Sequence, residues 1–207
     1  MSYEEIYKSK LMTADEAVAA HIKSGDKIWL GGLSVADKVL SCVIEKVKQG
    51  ALENIDFYGN MTMDDIGLAD KDIPADKFRY HAFFYGGYER EGCKNGVVTN
   101  VPLHLSRFED YVSYIDPDVA VVPMTPPNEQ GFCNIGPAGY SPSGLNHAKK
   151  IIAQINKNIP RVSGPSHDYH VNDIAAFVEC HKDELMPSSQ PPTATEEKIA
   201  SYILERI

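Results

Sequence analysis

Short apolar runs that alternate with stretches of helical periodicity restrict the fold of this 207-residue chain more than any other feature. The runs that predict strands lie at 27–30, 54–58, 78–84, 119–122 and 175–178. At 119–122 every residue is apolar, which is typical of a strand that is buried on both faces. Helices that lie between such strands along the chain cover both faces of a parallel sheet. We therefore expect an α/β domain with an open, mainly parallel sheet and helices on both faces.

The helical stretches carry start and stop signals. Residues 13–16, Thr-Ala-Asp-Glu, form a capping box, in which Thr13 and Glu16 satisfy the first backbone N–H groups of a helix that runs to about residue 22. Residues 35–48 carry apolar side chains at helical spacing, and Gly50 ends this helix. Further helices are expected at 103–114 and 143–148. The run at 150–155 either extends the last of these helices or forms a strand.

Charge and composition argue against several classes of protein. The formal net charge is −9 and no basic stripe is present, so binding to nucleic acid is not expected. No run approaches the ~18 apolar residues of a membrane span, and the N-terminus lacks a signal-peptide core, so we expect a cytoplasmic protein without membrane contact. The four cysteines lie far apart without CxxC spacing, which favours reduced thiols over a zinc site.

Composition also divides the chain into three parts. Residues 1–185 form the expected α/β domain, and 186–194 form a linker rich in proline and serine. Residues 195–207 predict a helix with acidic residues in its first turn and an apolar face that includes Ile199, Ile203 and Ile207. Either this helix folds back on the domain, or it opens a second domain that is absent from the sequence.

Loops after the predicted strands are the first candidates for a binding site, because open α/β sheets bind ligands at the carboxyl ends of their strands. The candidate residues are Gly31, Gly32, Leu33 and Ser34 after the first strand, Asn60 and Met61 after the second, and Gly86 after the third. The first of these loops offers backbone N–H groups to an oxyanion, a carboxylate or a phosphate. Each loop is also compatible with a simple packing turn, and none matches a nucleotide-binding motif.

The segment 126–131, Pro-Pro-Asn-Glu-Gln-Gly, follows the apolar strand at 119–122 and makes Glu129 a candidate catalytic carboxylate. Proline, asparagine and glycine fix the geometry of turns. We therefore interpret Glu129 and Gly131 as turn residues that line the site, and we do not take Glu129 as the nucleophile.

Other residues capable of chemistry form no recognisable motif. Ser141 and Ser143 lie in a segment rich in glycine and proline but not in a GxSxG elbow. His167, Asp168 and His170 are close enough in sequence to suggest a metal site, but a hydrogen-bonded loop is favoured because no metal-binding pattern accompanies them. The sequence therefore gives no catalytic residue and no metal ligand.

Together these segments resemble the amino-terminal domain of the 4-hydroxybutyrate CoA-transferase / acetyl-CoA hydrolase family over essentially the whole chain. The most specific part is Pro-Pro-Asn-Glu-Gln-Gly-Phe-Cys-Asn-Ile-Gly at 126–136, followed by Ala-Lys-Lys at 148–150 and Ile-Asn-Lys-Asn-Ile-Pro-Arg at 155–161. The family segment usually reads Pro-x-Asp-x-x-Gly-Tyr-x-x-x-Gly. Here Asn128 replaces the common aspartate, and Gln130 stands where histidine is frequent.

The resemblance implies an enzyme of about twice this length, with two similar α/β halves, that moves CoA between a short-chain acyl-CoA and a carboxylate such as acetate, butyrate or 4-hydroxybutyrate. It places the catalytic glutamate, which takes CoA as a glutamyl thioester, in the second half, so this chain alone is expected to be inactive. The coenzyme A thioester is then a substrate, and no further cofactor is implied. The implied partners are the C-terminal half and other copies of the chain in a homo-oligomer.

Two alternatives remain open at this point. In a thioester hydrolase, water takes the place of the acceptor acid. In a non-catalytic split or remnant domain, the face that a second half would cover binds a partner instead. An in-frame continuation of the coding sequence beyond codon 207, or an adjacent gene for the other half, would favour the enzyme over the remnant.

Overall fold

The computed structural model describes residues 2–137, 141–183 and 190–207. Seven parallel strands form its main sheet: β1 (Lys27–Gly31), β2 (Ile55–Gly59), β3 (Phe78–Ala82), β4 (Val98–Asn100), β5 (Val119–Met124), β7 (Lys150–Ile155) and β9 (Ala176–Glu179). Their spatial order is β4-β3-β2-β1-β5-β7-β9. A separate antiparallel pair consists of β6 (Phe132–Asn134) and β8 (Asp168–His170).

Side chains on the two faces of the main sheet belong to two separate cores. Ile28 and Leu30 of β1 pack on one face, whereas Trp29 between them packs on the other. Helices α2 (Ala14–His21) and α3 (Asp37–Lys48) cover the first face, and α5 (Phe108–Ile115) and α6 (Ser141–His147) cover the second. All six residues of β5 are buried, as the uniformly apolar run predicts. The predicted α/β class is confirmed.

Trp29, the one tryptophan of the chain, is fully buried on the second face. Its ring centroid lies 6.0 Å from that of Phe83 and 5.9 Å from that of Phe108. Gly144 of α6 approaches so closely that a Cβ atom built on it would lie 2.2 Å from three atoms of the indole. Within the described part of the chain, the Trp29 Nε1 atom is the one buried side-chain nitrogen or oxygen without a hydrogen-bond partner.

Some elements have weaker sequence signals and are not predicted. Helix α1 (Tyr3–Ser9) buries no residue, so its sequence carries no apolar periodicity. Helix α4 (Gly87–Lys94) contains two glycines, which lower helix propensity. Strands β4, β6 and β8 have three residues each, too few to show a pattern. The ambiguous run at 150–155 is strand β7 rather than an extension of α6.

The C-terminal helix, α7 (Ala194–Leu204), starts with a capping box formed by Thr193 and Glu196, close to the predicted start at 195. It buries none of its residues, and Ile199 and Ile203 are 53% and 55% exposed. Its assignment to a second domain stays a prediction. Residues 186–189 of the predicted linker lie outside the described residues, which exclude 184–189.

None of the described helices combines the length and the apolar character that a membrane crossing requires.

Candidate functional site

The order of the strands reverses between β1 and β5, because the chain proceeds outward through β2, β3 and β4 on one side and through β7 and β9 on the other. Where the order reverses, neighbouring loops leave the sheet in opposite directions and open a crevice at its carboxyl edge. Ligands of open α/β sheets bind at that position. Of the nine predicted site residues, Gly31 is the last residue of β1, and the other eight follow the carboxyl end of a strand of the main sheet.

The loops after β1, β2 and β3 lie together. The Met63 N–H group donates a hydrogen bond of 2.9 Å to the Leu33 carbonyl oxygen, which joins the loops after β2 and β1. A Cβ atom built on Gly86 would lie 3.4 Å from the Met61 Cβ, which brings the loop after β3 against the same region. The structure thus brings together the predicted residues Gly31, Gly32, Leu33, Ser34, Asn60, Met61 and Gly86.

The turn after β1 combines a constrained backbone with an exposed apolar side chain. Gly31 has a φ of +83°, in the left-handed region that favours glycine. Gly31 and Gly32 are buried, whereas the Leu33 side chain is 42% exposed at the carboxyl edge of the sheet. The turn can therefore present backbone groups and one apolar side chain to a ligand in the crevice.

The N-terminus of α3 is already occupied by another part of the protein. The backbone N–H groups of Lys38 and Val39 donate to the Gln154 Oε1 atom at 3.0 and 3.3 Å. Gln154 is buried in β7, and the N-cap residue Ala36 has no side chain that could serve instead. The helix therefore does not hold the N–H groups of Lys38 and Val39 open for an anion.

The loop after β2 is fixed by a buried phenol. The Tyr80 hydroxyl donates a hydrogen bond to the Asn60 carbonyl oxygen. A Cβ atom on Gly59 would lie 3.1 Å from the Leu30 Cβ and 3.2 Å from the Tyr80 hydroxyl oxygen, so this position leaves little room for a side chain. Burial raises the pKa of Tyr80 well above its ordinary value, which keeps it a neutral donor.

A buried carboxylate joins the loops after β2 and β3. Glu89 of α4 is fully buried, and its Oε1 atom accepts hydrogen bonds from the Thr62 N–H at 2.7 Å and the Thr62 hydroxyl at 3.0 Å. Its Oε2 atom accepts from the Gly86 N–H at 2.9 Å. Glu89 thereby sets the position of Gly86 relative to the residues that follow Met61. The sequence analysis does not identify Glu89.

Glu129 occupies a turn of defined geometry. The Asn128 Oδ1 atom accepts from the Gln130 N–H at 3.0 Å and from the Phe132 N–H at 2.9 Å, which closes the turn between β5 and β6. Gly131 has a φ of +83°. The turn itself is observed, whereas the role of Glu129 and Gly131 as site-lining residues stays a prediction.

Arg161 holds this turn against the β6–β8 pair. Its Nη1 atom donates to the Thr125 hydroxyl at 2.8 Å, and its Nη2 atom donates to the Phe132 carbonyl oxygen at 3.0 Å and lies 3.2 Å from the Asp168 Oδ1. No hydrogen bond joins residues 126–131 to the loops after β1, β2 and β3 within the described ranges. Glu129 and Gly131 are therefore not joined to the other predicted residues by hydrogen bonds, and we call the turn that carries them the second wall.

Helix α1, which the sequence analysis does not predict, lies beside this second wall. A cavity of about 480 Å³ between α1 and the turn is lined by Ser2, Tyr3, Glu4, Tyr7, Pro127, Asn128 and Glu129. Tyr7 donates a hydrogen bond of 2.8 Å to the Glu179 Oε1 atom, and this anchors α1 to the end of β9. The pattern Ser-Tyr-Glu-Glu at 2–5 is the available sequence signal for α1, because Ser2 and Glu5 form a capping box.

The three residues that suggested a metal site support the β6–β8 pair instead. Asp168 accepts a hydrogen bond of 2.9 Å from the Asn134 Nδ2, and the His170 ring packs against Tyr3 and Phe132 with centroid distances of 5.0 Å each. Among the residues that the structure describes, no group of three His, Cys, Asp or Glu side chains is arranged to hold a metal ion.

Comparison with known proteins shows which family this chain matches. The model of the acetyl-CoA hydrolase/transferase N-terminal domain matches residues 1–188. The butyryl-CoA:acetate CoA-transferase of Anaerostipes caccae is 32% identical over 213 residues, which cover 100% of this chain and 47% of that protein. The 4-hydroxybutyrate coenzyme A transferase of Clostridium kluyveri is 31% identical over 198 residues, or 93% of this chain and 44% of that protein. The chain thus spans about half the length of these relatives.

Solved structures show the same fold. RipA from Yersinia pestis superposes with a TM-score of 0.90 at 21% identity, over 99% of this chain and 50% of that protein. The 4-hydroxybutyrate CoA-transferase from Porphyromonas gingivalis superposes with a TM-score of 0.66 at 22% identity, over 91% of this chain and 44% of that protein.

Proposed function

Because the chain belongs to the acetyl-CoA hydrolase/transferase family, whose N-terminal domain matches residues 1–188, we propose that it forms the N-terminal portion of a CoA-transferase. The complete enzyme moves CoA between a short-chain acyl-CoA and a carboxylate. One observation carries the proposal: relatives that match this chain over nearly its whole length are CoA-transferases. The cytoplasmic location expected from the sequence is part of the same proposal.

The chemistry of transfer divides between this chain and a partner half. A carboxylate nucleophile forms a covalent intermediate with CoA, which splits one difficult exchange into two easier steps. The family resemblance assigns that nucleophile, a glutamate, to the C-terminal half. This chain then binds and orients the thioester, and coenzyme A enters as part of a substrate rather than as a resident cofactor.

The crevice supplies the binding groups for that task. Backbone N–H groups of the turn from Gly31 to Ser34 face an oxyanion on the reacting carbonyl, since preorganised donors of this kind stabilise the charge that develops in acyl transfer. The exposed side chain of Leu33 contacts the acyl chain. Asn60, Met61 and Gly86 complete this wall, and Glu129 and Gly131 line the opposite one.

The test is a transfer assay with acetyl-CoA and butyrate, in which butyryl-CoA is measured. The chain is assayed alone and together with the C-terminal half of the related enzyme from Anaerostipes caccae. Butyryl-CoA is expected only in the mixture. Turnover by the chain alone at about 1 per second or faster, abolished by a substitution within residues 1–207, would contradict the proposal.

The same assay separates transfer from hydrolysis. Omitting butyrate leaves water as the acceptor, and a hydrolase would then release free CoA and acetate at an undiminished rate. A transferase shows little release of CoA until the carboxylate is added.

A further inference from the structure

A lysine beyond β9 joins two segments of the candidate site. The Lys182 Nζ atom lies 2.5 Å from the Asp64 Oδ1 and 2.9 Å from the Asp37 Oδ1. Asp64 belongs to the loop after β2, and Asp37 is the first residue of α3, directly after the turn that follows β1. One ammonium group therefore contacts both segments that carry predicted substrate-binding residues.

The backbone of Lys182 is itself held in place. Its carbonyl oxygen accepts hydrogen bonds of 2.9 Å from the Nδ2 atoms of Asn156 and Asn158, which follow β7. The Cys180 N–H donates to the Ile155 carbonyl oxygen at 2.9 Å, so the segment after β9 continues along the sheet edge. The ammonium group thus extends from an anchored backbone rather than from a loose tail.

Both aspartates also hydrogen-bond to other residues, and these contacts connect the ammonium group to the rest of the site. The Asp64 Oδ2 atom accepts from the Val35 N–H at 3.1 Å, and the Asp37 Oδ1 atom accepts from the Gln154 Nε2 at 2.8 Å. Gln154 is the residue that caps α3. The contacts form one connected network from Lys182 to the start of α3 and to the loop after β2.

The charges make Lys182 necessary to this arrangement. The Asp64 side chain is only 6% exposed, and those of Asp37 and Lys182 are 26% and 27% exposed. Burial alone would lower the pKa of Lys182, but hydrogen bonds to Asp64 and Asp37 raise it above its ordinary value, so the group stays charged at neutral pH. Without the ammonium group, two carboxylates would face each other, one of them buried without a countercharge.

We propose that Lys182 is a positioning residue that sets the separation between the loops after β1 and β2, and thereby the width of the wall that receives the acyl group. That the wall receives an acyl group rests on the proposed function. That Lys182 sets the separation of the two loops rests on the contacts alone, because the network is present whether or not a thioester binds.

Amide hydrogen exchange on the 207-residue chain tests whether Lys182 holds the loops after β1 and β2 in position. In Lys182→Met the amides of Val35 and Met63, which hold the two loops, are expected to exchange at least ~10-fold faster than in the wild type. The amide of Val121 in the centre of the sheet is expected to keep its rate. Lys182→Arg should restore slow exchange, since it retains the charge.

Two further variants determine whether charge is the cause. Adding Asp64→Asn to Lys182→Met removes the uncompensated carboxylate and should recover part of the protection. Lys38→Met is the matched control, because Lys38 lies in the first turn of α3 but is exposed, and its Nζ atom donates to the Glu179 carbonyl oxygen at 3.3 Å rather than to Asp37 or Asp64. Unchanged exchange of Val35 and Met63 in Lys182→Met, or an equal effect of Lys38→Met, would overturn the proposal.

The transfer assay tests the link to function. In the mixture of the two halves, Lys182→Met is expected to raise the KM for acetyl-CoA at least ~10-fold with a smaller change in kcat, and Lys182→Arg to restore it. If the wild-type mixture is inactive, the proposed function loses its support, and the exchange data alone decide the role of Lys182. An unchanged KM together with accelerated exchange would overturn the assignment of Lys182 to the substrate wall.

Discussion

Gly144 shows how the absence of one side chain permits the packing of a helix against the sheet. In Gly144→Ala, the added Cβ would lie 2.2 Å from atoms of the Trp29 indole, so α6 must move away from β1. We expect a loss of ~1–3 kcal/mol in the free energy of unfolding, the range measured for overpacked cores. Urea denaturation followed by circular dichroism measures it. Gly87→Ala is the control, because a Cβ there meets nothing within 4 Å, and equal losses in both variants would contradict the explanation.

Asp26 is a second residue whose surroundings predict a measurable effect. Burial raises the pKa of Asp26, and the charge of Asp118 adds to the rise. The pKa of Asp26 in the folded state therefore lies above its unfolded value of about 3.9. The folded state loses stability as pH rises from the unfolded pKa to the folded pKa, and the loss is complete above the folded pKa. Asp26→Asn keeps an acceptor for the Lys23 N–H group, which donates to the Asp26 Oδ2 at 2.9 Å, and removes the charge.

The melting temperature of Asp26→Asn is therefore expected to exceed that of the wild type at pH 7 and to match it near pH 3. Differential scanning calorimetry at the two pH values checks this result. Asp110→Asn, at a side chain that is 67% exposed, serves as the control and should change neither value. A stabilisation by Asp26→Asn that is the same at both pH values would rule out the ionisation as its cause.

At the residue scale, the sequence indicates the loops of the candidate site but not the side chains that hold these loops in place. The loops at 31–34, 60–61 and 86 are recognisable because each follows an apolar strand. Glu89, Gln154 and Lys182 are not recognisable, since Glu89 also binds Thr62, Gln154 binds Val39 and Lys182 binds Asp64. These partners lie 27, 115 and 118 residues away in the chain. From the sequence alone, Glu89 is interpreted as a solvated residue of a polar helix, and Gln154 as a polar residue that interrupts an apolar run. Their hydrogen-bond partners become apparent only in the folded structure.

At the scale of elements, the longer and more apolar a segment is, the better the sequence predicts it. Strand β5 is apolar at every position because helices cover both of its faces. Helix α3 shows its buried face as a stripe that includes Val39, Val43 and Val47. Helices α1 and α4 bury little, so tertiary contacts and caps rather than periodicity define them, and the sequence does not predict them.

Helix α7 is the element whose behaviour is easiest to test. It buries no residue, and an isolated helix of 11 residues is at best marginally stable in water. In a monomeric sample, the amides from Ile199 to Leu204 are expected to exchange nearly as fast as those of an unfolded peptide. Ile203→Asp should change the free energy of unfolding by less than ~0.5 kcal/mol.

Val43→Asp in α3 provides the contrast, because Val43 is fully buried and an unpaired carboxylate there should prevent stable folding. Slow exchange across α7 in a sample shown to be monomeric would mean that the helix packs on its own domain. In that case the prediction that α7 opens a second domain would lose its physical support.

At the scale of the whole molecule, the same exposed face predicts self-association. Ile199 and Ile203 of α7 are 53% and 55% exposed, Ile207 beyond the end of the helix is 97% exposed, and apolar area of this kind drives association. We expect the sedimentation coefficient to rise with concentration for the wild type and to stay constant for the double variant Ile199→Ser, Ile203→Ser. Lys198→Ser on the same helix should leave the association unchanged. A wild-type chain that stays monomeric at every concentration would contradict this expectation.

The burial of Trp29 gives the whole molecule an intrinsic optical signal. The chain contains one indole, and that indole lies in β1, the strand beside which the sheet order reverses, enclosed by Phe83 and Phe108. Its fluorescence emission therefore arises from a single, dry environment and shifts to longer wavelength when water reaches the second core. Any ligand that changes the packing of β1 against α6 alters that emission, so binding at the neighbouring crevice can be followed without an added label.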